Sequence, residues 1–426
     1  MAAAGGQLWR VGKKTSLEMP VRQATDSATN SALDERLRDG LKRVGAADLL
    51  VGIPSFNNAG TVEHVAKTVA AGIRQHFPGA RPVIVNADGG SKDGTCDVIA
   101  RSTGDVPTIT GAYVGPPGKG SAFRAIFEIA TQLGAEACAV VDSDLRSITP
   151  EWIKRLVTPI KDGSADYVTP LYARHKFDGT ITNNVAYPLT RALYGRRLRQ
   201  PIGGEFGFGP ELARDFLDGS AFGGSPWQSD IARFGIDIYM TTTALVRGKR
   251  VAQAFLGAKI HDPKDPGADL APMFTQVVST AFRLAVRNAD AWRDVRGSTT
   301  TRIVGSIDPV EPEAVNASVE ILQQKYAAGR AEHQRTWDGI LSHPAPGPEG
   351  LDDAAWAGIV YDFLLASKRK PDETQRYVGA LVPLYFARVA SFIAEAKDLD
   401  TDAAEALVER QAAVFEDRKP DLLARW

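Results

Sequence analysis

The sequence predicts an α/β fold with a mostly parallel sheet and an α-helical C-terminal region, and three observations lead there. Short apolar runs recur about every 30 residues from Ala47 onward. Amphipathic helical stretches lie between them. Each run closes on Gly, Pro, Asp or Asn, the residues of turns rather than of continuing strands.

Residues 1 to about 28 read as a polar tail, and SALDERLRDGLKRVG as a short surface helix. ADLLVGIPSF, RPVIVNADGG, TITGAYVG and AEACAVVDSD then read as strands. In TVEHVAKTVAAGIRQHF, Val62, Val65, Val69 and Ile73 share one helical face. Strand–helix alternation of this kind indicates βαβ units, whose sheets bind ligands beyond the carboxyl ends of their strands. Thr149-Pro150 opens a helix, with proline at its first position. ADYVTPLYAR and RVAQAFLGAKIHDP are strand-like. From about Pro309 the chain turns helical: DDAAWAGIVYDFLLAS stacks Trp356, Ile359, Val360, Phe363 and Leu364 on one face. YVGALVPLYFARVASFIAEA is apolar nearly all round, with a kink expected at Pro383. These features divide the chain into a tail and helix (1–46), a catalytic domain (47–308) and a helical domain (309–426).

The 426 residues are 44% hydrophobic and 24% charged, which suffices for a large core, and the net charge of −1 argues against a nucleic-acid binder. Two cysteines make no disulfide framework or zinc pattern, so a cytoplasmic location is the expectation. No apolar run approaches the ~18 residues of a membrane span, and no membrane association is expected.

Five polar clusters sit where such a sheet would bind a ligand. VGIPSFNN and VNADGG end the first two strands, where Asn57 and Asp88 can bond a base and a ribose or simply close turns. GPPGKGSAF sets Lys119 in a glycine-flanked turn opening a helix, an arrangement suited to a diphosphate but lacking Walker spacing. Asp142-Ser143-Asp144 is either a turn or a pair of carboxylates for a ribose and a divalent cation. His261, in AKIHDP, is able to share that cation. Glu205 in PIGGEF and Asp237 in FGID can bond sugar hydroxyls or pair with a cationic side chain. TRALYGRRLRQ reads as a solvated helix face.

Taken in this order, PGKG, DSD, QP-x-GGE, G-I-D and the late histidine resemble the retaining GT-A glycosyltransferases that make glycosylglycerates, the mannosylglycerate and glucosyl-3-phosphoglycerate synthases. The resemblance runs from about Asp48 to Asp265, and LDDAAWAGIVYDFLL extends it into the helical part. It implies a GT-A nucleotide-sugar domain in which Pro54, Ser55, Phe56, Asn57, Asp88, Lys119, Asp142 and Ser143 line the nucleotide site. Asp142 would face the ribose, and Asp144 and His261 would hold Mg²⁺ or Mn²⁺. Gly204 and Glu205 would contact the donor sugar, with Asp237 at the junction of donor and acceptor. Asp237, Glu205 and Lys119 are then the expected catalytic group. Arg174 and Thr182 would take the acceptor carboxylate.

The implied reaction moves glucose or mannose from a GDP or UDP donor to D-glycerate or a similar small hydroxy acid, with retention. 3-Phosphoglycerate is the alternative acceptor, whose phosphate would call for further cationic contacts that Lys176, His175 or the Arg196-Arg197 pair could supply. A sugar-nucleotide pyrophosphorylase is the rival enzyme, although the Gly-rich first turn with Arg and Lys is missing. A non-catalytic nucleotide-binding module is the other rival. A homodimer is admitted, since the sequence does not fix the oligomeric state.

Overall fold

The structure, a computed structural model, describes residues 31–223, 225–260, 270–307, 310, 312–347 and 351–426. The expected N-terminal tail lies outside these residues, as does His261.

The first half alternates as predicted: α1 (Glu35–Val44), β1 (Leu49–Ser55), α2 (Val62–His76), β2 (Pro82–Asp88), α3 (Thr95–Ser102), β3 (Thr108–Ala112), α4 (Lys119–Leu133) and β4 (Ala137–Val140). There follow α5 (Pro150–Lys161), β5 (Tyr167–Ala173), α6 (Tyr187–Tyr194), β6 (Arg196–Arg197), β7 (Phe206–Phe208), α7 (Pro210–Asp218), α8 (Ile236–Val246) and β8 (Val251–Ala258). Next come α9 (Leu270–Arg287), β9 (Thr299–Thr300) and β10 (Arg302–Val304). The chain ends in α10 (Val319–Ile340), α11 (Asp353–Arg369), α12 (Thr374–Ala396), α13 (Thr401–Asp417) and α14 (Lys419–Ala424).

Among the described residues an eight-stranded sheet runs β10-β8-β5-β7-β4-β1-β2-β3. Its pairings are parallel except at β7, which is antiparallel to both β4 and β5. Successive side chains of a strand point to opposite faces. Leu49, Val51 and Ile53 of β1 therefore pack with Val65, Val69 and Ile73 of α2 and Trp152 of α5. Leu50 joins Phe123 and Ile126 of α4 on the other side. Helix α4 sits close because β1 offers Gly52, where a Cβ would come 2.7 Å from Ile126. Asp34 caps α1 through the Leu37 amide at 2.8 Å and also accepts from the Ala112 amide at 3.0 Å, tying this helix to β3.

Ala32–Trp426 forms a single compact unit, which includes both sides of the boundary expected near residue 308. The apolar patterns of α11 and α12 showed that these helices must be buried but not against what. Together with α13 they close a core with the chain's middle, Ile181, Leu189 and Phe274 packing with Trp356, Leu381 and Phe415. Specific bonds reinforce it: the Trp356 indole donates to the Asn184 carbonyl at 2.7 Å and the Gln411 amide to the Asn183 carbonyl at 2.8 Å. The helical stretch Pro371–Ala396 is long and apolar enough to cross a membrane, yet it is mostly buried inside the protein. Helix α12 runs on through Pro383, whose ring lies against Gly329 of α10; a Cβ there would sit 2.1 Å from it.

Candidate active site

A cavity of about 630 Å³ opens at the carboxyl ends of β1, β4, β5 and β8, lined by residues the sequence had singled out and by others it had not. Pro54, Ser55, Phe56, Asn58 and Gly89 form one end, Lys119, Asp142, Ser143 and Asp144 the floor, and Arg174 and Thr182 the other end.

The nucleotide-facing turn is built largely from its own hydrogen bonds. Ser55 Oγ donates to Asp88 Oδ2 at 2.7 Å, and the amides of Gly90 and Ser91 donate to Asp88 Oδ1 at 2.8 and 2.6 Å. Ser91 Oγ adds a fourth bond at 2.7 Å. With its acceptor sites so engaged and its side chain buried, Asp88 shapes the turn instead of lining the cavity. Asn57 lies outside the lining too: its amide donates to Ser91 Oγ and its Oδ1 accepts from Lys92. Asn58 takes the place expected for it, bonding Ser143 Oγ at 2.8 Å. Phe56 stands 61% exposed at the mouth, an apolar ring free to meet a flat base.

Lys119 is the first residue of α4. The glycines around it serve protein packing, not a ligand: a Cβ on Gly120 would lie 1.7 Å from the Ile231 carbonyl, and one on Gly118 2.5 Å from that of Ala232. The amides of Gly118 and Gly120 donate to Tyr113 Oη and the Arg233 carbonyl. The helix start is thus not the open amide cradle that the sequence suggested. What it presents is the ammonium, 2.8 Å from Asp142 Oδ1 and 3.4 Å from Asp237 Oδ1.

Lys259, which the sequence reading passed over, completes the floor. It follows β8 directly, and its ammonium lies 3.1 Å from Asp142 Oδ2, 2.9 Å from Glu205 Oε2 and 2.9 Å from the Gly203 carbonyl. The signal was available: like Asp142, it is a charged residue placed just past an apolar strand. Glu205 is fully buried behind Lys259, bonded by the Tyr172 hydroxyl, and does not line the cavity. Glu205, expected at the donor sugar, thus meets the cavity through Lys259. Gly204, at φ 97°, does reach the cavity; a Cβ there would be 2.6 Å from Asp142 Oδ2 and 3.0 Å from Lys259 Nζ.

These groups set each other's charge. Burial alone would raise the Asp142 pKa, but Lys119 and Lys259 hold it well below the ordinary carboxylate range. Burial would likewise lower both lysines, yet Asp142 with Asp237 raises Lys119, and Glu205 with Asp142 raises Lys259. Burial dominates at Glu205, pushed up to about 7 against the pull of Lys259, and at Asp237, also raised.

Asp144 lines the cavity with no hydrogen bond or ion pair to a described residue. Among the described residues no cluster of three metal-ligating side chains occurs.

At the other end, Arg174 lies 5.8 Å over the Tyr172 ring and 3.5 Å from Asp178. Thr182 opens a π-helical turn (Thr182–Ala186), a local widening often found at functional sites. The further cations expected beside Arg174 are elsewhere. Lys176 donates to the carbonyls of Lys397 and Leu399, both at 2.7 Å. Arg196 and Arg197 bond Thr299 and Ser298, beside the β6–β9 pair. His175 does not line the cavity either.

Residues 50–210 match the family model described as Glycosyl transferase family 2. That stretch runs from β1 to the start of α7 and carries the glycosyltransferase resemblance read from Lys119, Asp142 and Glu205. No curated protein matches the chain significantly. Among solved structures, glucosyl-3-phosphoglycerate synthase from Mycobacterium tuberculosis in complex with Mn²⁺, UDP and phosphoglyceric acid is 23% identical. It covers 59% of this chain and 82% of that one, with a TM-score of 0.44. The same enzyme with Mg²⁺ and UDP is 19% identical over 61% of this chain and 85% of its own, also with a TM-score of 0.44.

Proposed function

We propose that the chain is a retaining glycosyltransferase that moves a hexosyl group from a nucleoside diphosphate donor to a small 2-hydroxy acid. The observation that carries this reading is the cavity floor: Lys119 and Lys259 bracket Asp142 at the carboxyl end of the sheet, with Asp144, unpartnered among the described residues, lining the same cavity. Phe56 would cover the base, and the lysine ammoniums would meet the diphosphate. Asp237, held by Lys119 at 3.4 Å, is placed to bond the sugar between donor and acceptor. Arg174 and Thr182 would take the acceptor carboxylate, whose planar pair of oxygens suits a guanidinium fork.

Charge balance favours a divalent cation. Asp142 and Asp144 already match the two floor lysines in charge before the raised Asp237 and Glu205 are counted, so the floor cannot by itself neutralise a diphosphate. Asp144 has the oxygen donors and the free coordination for such an ion, and His261 remains its expected companion. When bound, the cation would supply positive charge against the departing diphosphate.

D-glycerate suits this site better than 3-phosphoglycerate, because the cations lining the described cavity are Lys119, Lys259 and Arg174 alone. With two of them on the floor, one guanidinium remains for the acceptor, enough for a carboxylate but sparse for an added phosphate. A screen of UDP- and GDP-linked glucose and mannose against both acceptors tests the reading, with product NMR. An α-linked glycosylglycerate is expected. A β-linked product would overturn retention, and donor cleavage without transfer to any hydroxy acid would overturn the acceptor class.

A further inference from the structure

The wall near the acceptor carboxylate site is shared with a second space. The walls of the first cavity also carry the apolar side chains of Ile181, Ile202, Met273 and Val277. A second cavity of about 320 Å³ then adjoins it, sharing Phe177, Thr180 and Leu270. Leu322, Phe386, Val389 and Ile393 line that space. Thr180, shared by the two cavities, and Tyr385 of the second bond each other at 2.6 Å, so neither requires a partner from a ligand; Asn316 and Ser318 add polar groups to an otherwise apolar wall. Tyr385 is held in place by stacking on Phe274 with ring centroids 4.3 Å apart. A dry apolar cavity of about 150 Å³ already accommodates benzene. Three-carbon glycerate would leave this second space empty.

We infer that, besides glycerate, the site takes and prefers a 2-hydroxy acid whose third carbon bears an apolar group of at least ring size, seated in the second cavity. The inference rests on the glycosyltransferase reading above and extends it to the acceptor's far end. Arg174 holds the carboxylate and the 2-hydroxyl faces the donor. In the transfer the bond from the sugar anomeric carbon to the diphosphate oxygen breaks, and a bond to the acceptor 2-hydroxyl oxygen forms. The hydroxyl proton leaves with the nucleoside diphosphate, so atoms and charge balance without a further reactant.

The test compares lactate, glycerate and 3-phenyllactate with one donor. The apolar acceptor should show kcat/KM about tenfold or more above glycerate, since a buried apolar group discriminates on that scale. Val389→Phe, which narrows the second cavity, should cut kcat/KM for 3-phenyllactate about tenfold while leaving glycerate within about twofold. Because Val389 is buried and its variant risks misfolding, Ile321→Asp provides a second probe at the exposed rim of the same cavity, with the same selective loss expected. Glycerate used as well as 3-phenyllactate would overturn the inference, as would a preference for a phosphorylated or glycosylated glycerate. Equal losses on both acceptors in both variants would overturn it too. Failure of this inference alone leaves transfer to glycerate intact; failure of the underlying reading abolishes transfer to every hydroxy acid with every donor.

Discussion

Replacing Lys259 by Met tests the charge network of the cavity floor. The ammonium is nearly buried and bonds Asp142, Glu205 and the Gly203 carbonyl. Removing one member of such a buried pair costs about 3–5 kcal/mol when the remaining charge cannot be relieved. Here it can, because Glu205 already has a pKa of about 7 and loses its main opposing charge in the variant. A carboxyl whose folded pKa is raised contributes stability at low pH that is lost as pH rises through that pKa. In the native protein this loss ends near pH 7, whereas in the variant, with Glu205 raised further, it continues to pH 8. One extra unit of pH corresponds to about 1.4 kcal/mol. The difference in unfolding free energy between native and variant, measured by urea denaturation, should therefore be about 1.4 kcal/mol larger at pH 8 than at pH 6. Adding Glu205→Gln to the variant should remove that difference. A pH-independent loss, or none, would refute the assignment of Glu205 as the partner that suffers.

Arg174→Ala should raise the acceptor KM at least about tenfold and leave the donor KM near its native value, because only one substrate loses a contact; steady-state kinetics with each substrate varied would show it. Asp144→Asn should weaken Mn²⁺ binding about tenfold or more in the presence of a nucleoside diphosphate, as read by titration calorimetry. Unchanged affinity would remove Asp144 from the metal site. Deleting residues 310–426 should give insoluble protein, since it strips Trp356 and Gln411 from the carbonyls of Asn184 and Asn183 and exposes the apolar faces of α6 and α9. A soluble truncation with a native melting profile would contradict the shared core.

The strand ends were legible because parallel strands buried on both faces announce themselves as apolar runs, and polar residues at their ends have few structural excuses. Asp142 and Asp144 were found that way, and both line the cavity; Gly204 and Asp237, which line it too, were read from the PIGGEF and FGID motifs and their resemblance instead. Lys259 was missed because a lysine near a strand end usually reads as solvated, and its neighbour His261 drew the chemical reading. Asp88 and Glu205 misled for one reason: a carboxylate's value to a ligand depends on how many of its oxygens the protein already uses, and pairing is invisible in one dimension. The merging of the C-terminal helices with the middle of the chain was hidden likewise, since an apolar face does not name the surface it meets.

The reversed strand β7 has a consequence for how this protein can change. Running against its neighbours, it places its entry loop, with Gly203 and Gly204, on the same rim where β4 and β8 have their exits to Asp142 and Lys259. Three segments distant in sequence therefore share one edge without sharing a connection. Leu198 and Gln200 of the entry loop are buried, so the rim is open to change through the side chain of Ile202, which lines the cavity, while every hydrogen-bonded register in the sheet stays as it is. Of the loops at that edge, this one is the natural entry point for evolving a different sugar preference.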